Sequence, residues 1–270
     1  MQYRPILQDT PVVVKNLIII NVLMLLATYA LEAAGFDFTN LFGMHYPASE
    51  KFRPFQVVTH MFMHGGFMHL LFNMFALWMF GRVLESIWGP KRFLIYYFVT
   101  GLGAVALHMF VNHLEIMSIQ NSIVAFQNTP APELLEKFVN KQLGNPSPQL
   151  IDFITEWYDD PSSTSYAAEG GLLMERILQM KMNIPTVGAS GAVFGILLAF
   201  GMIFPNTQLM LLFPPIPIKA KYFVMGYGAL ELYLGLTNSG GSIAHFAHLG
   251  GMLFGFLLIK YWAKTTNTFY

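Results

Sequence analysis

Long apolar runs separated by short polar segments dominate the sequence. A transmembrane helix needs about 20 mostly apolar residues to cross a hydrocarbon core of about 30 Å. The runs predict an all-α, polytopic membrane protein with six transmembrane helices. These are expected at 14–34, 60–80, 92–113, 188–204, 221–236 and 243–262.

The fourth predicted helix is the first indication of a buried site. It is bounded by Pro185 and Pro205. A run from 188 to 204 reaches only about 26 Å at 1.5 Å per residue, which is less than the hydrocarbon core. One of its ends should therefore start below the membrane surface. Exposed backbone at that depth is tolerated only beside protein or a water-filled cavity.

The segment 115–185 has the features of an extramembrane insertion between the third and fourth predicted helices. Helix-start signals occur at Thr129 with Pro132, and at Ser147-Pro148. Nine acidic and four basic residues give it a net charge of −5. We expect a helical lid or docking surface within a single membrane domain of residues 1–270; a mobile acidic loop is the alternative. An apolar stripe follows each start signal: Leu134, Leu135, Phe138 and Val139, then Leu150, Ile151, Ile154 and Trp157.

Composition agrees with a lipid environment. Hydrophobic residues make up 54% of the chain and charged residues 11%, with a mean hydropathy of +0.49; soluble domains carry about 25% charged residues. The net charge of zero gives no reason to expect a nucleic-acid partner. Because the chain has no cysteine, it has no disulfide framework, thiolate metal site or cysteine nucleophile.

The distribution of Lys and Arg predicts the orientation, because cytoplasmic loops carry an excess of these residues. A cytoplasmic N-terminus puts nine of them inside and two, Lys51 and Arg53, in short outer segments. Both termini are then cytoplasmic, and the fourth helix starts on the outer side. The first ten residues are too polar for a secretory signal peptide. The nine inner residues are Arg4, Lys15, Arg82, Lys91, Arg92, Lys219, Lys221, Lys260 and Lys264.

Ser190 lies among small residues at the predicted outer end of the fourth helix. Unpaired N–H groups and the positive end of the helix dipole favour an anion at such a position. Gly191 and Gly195 are also ordinary helix-packing residues, which is the alternative interpretation.

His69 and Asn73 lie four residues apart on the second predicted helix and therefore share a face. Both can donate hydrogen bonds, as an oxyanion hole requires. Polar contact between helices is the alternative.

His245 and His248 lie on the sixth predicted helix above a ladder of small residues at Ala247, Gly251 and Gly255. If this ladder faces Gly191 and Gly195, a histidine at the outer end can meet Ser190 and act as its base. Spacing alone does not show which of the two histidines is the base. His248 is preferred because the small residues lie one and two turns after it, and His245 is the alternative. With no carboxylate recognised near either, we expect a Ser–His dyad.

Four motifs carry a resemblance to a known family. They are Gly188-Ala189-Ser190-Gly191 (G-x-S-G), His69 to Asn73 (H-x-x-x-N), Ala247 to Gly255 (A-H-x-x-G-x-x-x-G), and Gly81, Glu85 and Gly89 (G-x-x-x-E-x-x-x-G). Over 50–110 and 185–260 the chain resembles rhomboid intramembrane serine proteases of the bacterial six-helix type.

The resemblance assigns roles to individual residues. It implies that Ser190 is the nucleophile and His248 the general base. The oxyanion would be stabilised by the Ser190 N–H with His69 and Asn73. By the same resemblance, the ring of Phe194 packs on the catalytic histidine. Glu85 is expected to anchor the cytoplasmic loop.

Two features depart from the family pattern. Phe55-Gln56 replaces the family's Trp-Arg pair before the second helix, so loop docking at the membrane surface is expected to differ. The insertion 115–185 has no counterpart in the minimal form, and we expect it to gate the site or recruit substrates.

The sequence therefore predicts an enzyme that cleaves single-span membrane proteins in the bacterial plasma membrane. No metal or cofactor is implied. Water is expected to reach Ser190 beneath a loop at 237–241.

One alternative is a non-catalytic rhomboid-like protein that binds membrane clients. A metal site or transporter built on several histidines is another, disfavoured because no carboxylate partner was recognised. Those histidines are His60, His64, His69, His245 and His248.

Overall fold

The computed structural model describes residues 10–210, 215–237 and 242–265, with the backbone alone over 242–244. Besides helices, this part of the chain contains one antiparallel pair of short strands, β1 (Gln208–Met210) and β2 (Pro217–Lys219). A 3₁₀ turn covers His60–Phe62, and a π-helical segment, Leu77–Gly81, joins α4 to α5. The α-helices are α1 (Val12–Ala33), α2 (Phe38–Phe42), α3 (Gln56–Thr59), α4 (Phe67–Ala76), α5 (Arg82–Asn128), α6 (Pro132–Leu143), α7 (Pro148–Asp159), α8 (Thr164–Met182), α9 (Ser190–Ile203), α10 (Ala220–Leu236) and α11 (Ser242–Thr265).

Three helical stretches of the described chain are long and apolar enough to cross a membrane: Val12–Ala33, Phe67–Asn128 and His245–Thr265. The long middle stretch breaks at Gly89, where φ is 76° and ψ is 165°, so it contains two of the predicted helices. The apolar helix α9 is shorter, as expected from its flanking prolines. The all-α membrane fold is confirmed, and the count of six spanning helices stays a prediction.

Two predicted helix boundaries are wrong. The second helix was expected from residue 60 but begins at Phe67, because Gly66 has a φ of 153° and interrupts the helical backbone. The third was expected to end at residue 113, yet α5 continues to Asn128. Its polar residues beyond 113 do not stop the helix, because apolar residues such as Ile116 and Ile119 are buried there.

The chain divides into two compact units. The first comprises the described parts of Met1–Met44, Phe52–Val111 and Pro185–Tyr270, and it contains all four predicted site residues. The second comprises His45–Lys51 and Asn112–Ile184, which overlaps the segment expected to be an insertion.

The second unit has its own apolar core. Helices α6 and α7 begin at Pro132 and Pro148, as the start signals predict, and the Ser147 hydroxyl accepts a hydrogen bond from the Leu150 N–H at 3.4 Å. Within the two predicted stripes, Leu134 and Ile151 are exposed. The alternative of a mobile acidic loop is wrong, because the segment is helical around a buried cluster. Its buried stripe residues are Leu135, Phe138, Val139, Ile154 and Trp157.

Glu85 fixes the start of α1. Its carboxylate accepts hydrogen bonds from the N–H groups of Val13 at 2.9 Å and Val14 at 2.8 Å, and its side chain is buried. The first N–H groups of a helix have no partner within the helix, so this distant carboxylate caps α1. Glu85 thus has a structural role, with the start of the first helix as its partner; its anchoring of the cytoplasmic loop stays a prediction.

Gln56, which stands in place of a family arginine, is completely buried. Its amide nitrogen donates to the Leu41 carbonyl at 3.1 Å, and its side-chain oxygen accepts from the Arg53 N–H at 3.0 Å. The glutamine thus ties the last turn of α2 to the turn before α3, while the neighbouring Phe55 is exposed.

Helices α9 and α11 touch through their backbones. A Cβ atom on Gly251 would lie 1.8 Å from the Gly191 carbonyl oxygen, so only glycine fits there. This confirms that the two small-residue ladders face each other at one position, where Gly191 meets Gly251. Elsewhere they contact α5 instead: a Cβ on Gly195 would meet Thr100 at 2.6 Å, and one on Gly255 would meet the Tyr96 hydroxyl at 2.3 Å.

Candidate active site

Ser190 is the first residue of α9, directly after a turn that requires glycine. Gly188 has a φ of 132°, which L-residues rarely adopt, and its N–H donates to the His60 carbonyl at 2.9 Å. A Cβ atom at this position would lie 2.9 Å from Cε1 of His69. The turn therefore holds the serine at a helix start and brings it close to α4.

His69 presents its Nε2 atom to this turn. Nε2 of His69 and Oγ of Ser190 lie 3.0 Å and 3.6 Å from the point where a Cβ of residue 188 would stand. The other ring nitrogen, Nδ1, accepts the Gly65 N–H at 3.3 Å. An accepting Nδ1 leaves the proton of a neutral imidazole on Nε2, so His69 faces the serine turn with a donor.

Asn73 lies one turn further along α4 and is buried. Its amide nitrogen donates one hydrogen to the His69 carbonyl at 2.9 Å. An amide carries two donor hydrogens, so a second remains for another acceptor. The backbone N–H of Ser190 lies in the first turn of α9, where N–H groups have no partner within the helix. The Ser190 N–H, Nε2–H of His69 and this second amide hydrogen are thus three donors on residues that line the same cavity.

His248 stacks flat on Phe194. The ring centroids are 4.0 Å apart and the planes differ by 4°, which is the aromatic contact that the resemblance implied for these two positions. Phe194 in turn packs on Tyr227 of α10, with centroids 5.0 Å apart. The imidazole is therefore fixed by a ring from α9, the helix that begins with Ser190.

One cavity of about 650 Å³ brings the predicted site residues together. Ser190, His248, His69 and Asn73 all line it, whereas His245 is not among its lining residues in the described chain. The rest of the lining is almost entirely apolar, as a site for a transmembrane segment would require. Its other residues are Phe72, Phe75, Ala76, Met79, Phe80, Val193, Phe194, Leu197, Leu209, Met210, Phe223 and Tyr227.

A second, smaller cavity of about 50 Å³ borders Ser190 on the side of α5. Its lining includes His60, Gly101 and Thr186. One water molecule occupies about 30 Å³ in the liquid, so this space is large enough for a single water beside the serine.

The expectation that no carboxylate lies near the histidines is wrong. Oε2 of Glu231, on α10, lies 3.0 Å from Nδ1 of His248 and 2.6 Å from Nδ1 of His245. Sequence reasoning missed Glu231 because it stands 17 residues before His248 on another helix. The available signal was its ionisable side chain inside an apolar run, which usually marks a functional position.

The same three side chains have the composition of a metal site. The candidate ligand atoms of Glu231, His245 and His248 all lie within 4.8 Å of one another, and two histidines with one glutamate form a known zinc ligand set. His245 and His248 therefore do have a carboxylate partner, contrary to the expectation from the sequence. Of the loop at 237–241, beneath which water is expected to reach Ser190, residues 238–241 lie outside the described residues.

Comparison with known proteins gives one distant relative and a family. The chain is 26% identical over 211 residues to "Rhomboid protein 1, mitochondrial" of Saccharomyces cerevisiae. The aligned region covers 78% of this chain but only 42% of the yeast protein. No solved structure matches the chain.

The family model for the Rhomboid domain matches residues 51–126 and 163–265. These ranges include Ser190, His248, His69 and Asn73, and the unmatched stretch between them lies inside the segment 115–185. The match covers well over half of the sequence. The chain therefore belongs to the rhomboid family.

Proposed function

We propose that this chain is an intramembrane serine endopeptidase that hydrolyses peptide bonds in or near the transmembrane segment of single-span membrane proteins. One observation carries the proposal: Ser190, His248, His69 and Asn73, from three different helices, line a single cavity with otherwise apolar walls. Independent packing contacts would give no reason for a hydroxyl, an imidazole and a pair of donors to share one cavity.

The reaction starts at the serine hydroxyl. His248 takes the Ser190 proton on Nε2 while Oγ attacks the scissile carbonyl carbon, which gives a tetrahedral oxyanion. The N–H of Ser190, Nε2–H of His69 and the free amide hydrogen of Asn73 stabilise that charge. His248 then gives the proton to the leaving amine, and the substrate's new N-terminus departs.

Water completes the cycle. His248 accepts a proton from a water molecule that attacks the acyl-serine, and returns that proton to Oγ as the second product leaves. The space of about 50 Å³ beside Ser190 is large enough to hold this water. The substrate helix must unwind locally, since hydrogen bonding within a helix shields the scissile carbonyl.

The orientation and location belong to the same proposal. The excess of Lys and Arg in the segments assigned to the inside supports cytoplasmic N- and C-termini. The resemblance to the bacterial six-helix type supports the bacterial plasma membrane. Within this proposal the segment 115–185 is an extracytoplasmic insertion that gates the site or recruits substrates, supported by its own core and its acidic surface.

The decisive experiment uses the full chain in bilayers with a labelled single-span substrate and a fluorophosphonate probe. Wild type should cleave the substrate and take up the probe, and Ser190→Ala should do neither while unfolding at the same temperature. Ser86→Ala is a matched control, because Ser86 is exposed and its hydroxyl donates to the Arg82 carbonyl at 2.7 Å, its one side-chain hydrogen bond within the described part of the chain. A folded wild type that neither cleaves nor is labelled would favour the non-catalytic client-binding alternative.

A further inference from the structure

His248 has polar neighbours that a serine–histidine dyad does not include. We propose that Glu231 is a positioning residue for His248, which it holds with Nε2 free toward Ser190, and that His245 shares the same carboxylate as its second donor. The inference rests on the proposed function and adds two residues, Glu231 and His245, to the four already named in its mechanism.

The first support is the arrangement of atoms. Two imidazole Nδ1 atoms approach the same carboxylate oxygen, at 2.6 Å and 3.0 Å. An ionised carboxylate only accepts hydrogen bonds, so each Nδ1 carries a hydrogen and donates it. Both contacts lie within about 0.1 Å of the range of roughly 2.7–2.9 Å that is typical of charge-assisted N–H···O hydrogen bonds.

The second support is the tautomer that follows. A neutral imidazole carries one hydrogen, and a hydrogen on Nδ1 of His248 leaves Nε2 with a free lone pair. Proton abstraction from Ser190 needs that lone pair. Phe194 fixes the plane of the His248 ring, and Glu231 fixes its rotation within that plane. A carboxylate that orients a histidine in this way is a recurring feature of serine hydrolases.

The third support is the placement of the charge. Glu231 is only 4% exposed, in the C-terminal half of the apolar helix α10. An ionised side chain in hydrocarbon is costly and is tolerated when polar partners surround it. The Nδ1–H of His248 alone would offset only part of the cost of burying the Glu231 charge. His245 supplies a second donor. This gives His245, the weaker candidate for the base, a distinct role.

The experiment measures the nucleophile directly. The second-order rate of fluorophosphonate labelling reports the reactivity of Ser190 without a contribution from substrate binding, and kcat and KM for the single-span substrate are measured beside it. Glu231→Gln should lower the labelling rate and kcat about 10- to 100-fold, part of the 10²- to 10⁴-fold that general base catalysis supplies. KM should stay within about twofold, since the positioning acts on chemistry.

Companion variants separate positioning from packing. Glu231→Asp keeps a carboxylate and should retain more activity than Glu231→Gln. His245→Ala should cost less than Glu231→Gln, because His248 keeps its acceptor. Glu32→Gln is the matched control, since Glu32 is exposed and, among the described hydrogen bonds, its carboxylate accepts only from the Thr39 hydroxyl. ¹⁵N spectra of the histidine rings should show Nδ1–H at His248 in wild type and a shift toward Nε2–H in Glu231→Gln.

The outcomes are distinguishable. If wild type is inactive and unlabelled like Ser190→Ala, the proposed function itself fails. If wild type is active and Glu231→Gln matches it in labelling rate, kcat and ring spectrum, only the positioning role is overturned. If a chelator abolishes wild-type activity and added zinc restores it, the cluster holds a metal ion, and the hydrogen-bonded assignment is overturned.

Discussion

The imidazole of His248 lies parallel to the ring of Phe194, with 4.0 Å between ring centroids. Phe194 is on the same helix as Ser190, one turn further on, whereas His248 comes from α11. The stack therefore makes the position of the base depend on the helix that carries the nucleophile.

Removal of this ring should slow the chemistry. Phe194→Leu keeps an apolar side chain but loses a stack worth about 0.5–1.5 kcal/mol, so kcat is expected to fall about two- to tenfold. Phe194→Tyr retains the stack and should stay close to wild type. Steady-state cleavage of a single-span substrate measures both variants, and equal kcat values for leucine and phenylalanine would refute the role of the stack.

Gly188→Ala should abolish activity in a folded protein. The added methyl group would lie 2.9 Å from Cε1 of His69 and displace the imidazole from the serine turn. Removal of one oxyanion donor costs about 10²- to 10³-fold in kcat, and a loss of at least that size is expected. Fluorophosphonate labelling and substrate cleavage provide the measurement.

Gly35→Ala is the control for backbone strain. Gly35 also has a positive φ, 83°, but a Cβ there meets nothing within 4 Å. It should lower the unfolding temperature and leave kcat unchanged. If the two alanine variants lose activity equally, backbone strain explains the effect and contact with His69 does not.

Gly251→Ala should destabilise the membrane domain. The methyl group would overlap the Gly191 carbonyl, which belongs to backbone and cannot rotate away. Overpacking of this kind costs about 1–3 kcal/mol or more, so the midpoint of thermal unfolding should fall by several degrees. Gly226→Ala, in α10 with nothing within 4 Å of its Cβ, serves as the comparison and should not lower the midpoint. An unchanged midpoint for Gly251→Ala would contradict the close backbone contact.

Glu85→Ala should lower stability without a direct effect on the site. It removes both acceptors for the N–H groups at the start of α1, and unsatisfied buried groups cost about 1–3 kcal/mol each. Hydrogen exchange at Val13 and Val14 should accelerate, and the unfolding midpoint should fall. In the fraction that stays folded, the labelling rate of Ser190 should match wild type; a lower rate would show that Glu85 also acts on the site.

The sequence was most informative about site residues that can be recognised from a single helix. Ser190, His69 with Asn73, and His248 each stand out as polar residues within an apolar run, and the structure brings all of them to one cavity. Their catalytic roles stay predictions. The short length of α9 followed directly from Pro185 and Pro205.

Features that depend on contact between helices were harder to predict. Neither histidine partner of Glu231 lies on α10, so both became visible only once α10 and α11 were packed together. The late start of α4 depends on the conformation of Gly66, which an apolar run does not reveal. The hairpin of β1 and β2 was not predicted, because three-residue strands are too short to show an alternating pattern.

Helix α10 has two functions in this arrangement, because Phe223 and Tyr227 form part of the cavity wall and Glu231, one turn beyond Tyr227, holds the imidazole. A segment that enters the cavity and pushes this helix outward would also lengthen the carboxylate–imidazole contact. A bulky segment in the cavity would therefore weaken His248 as a base, whereas a slender segment would leave its hydrogen bond to Glu231 intact. The enzyme would thus select substrate segments by the size of their side chains, without a separate specificity pocket.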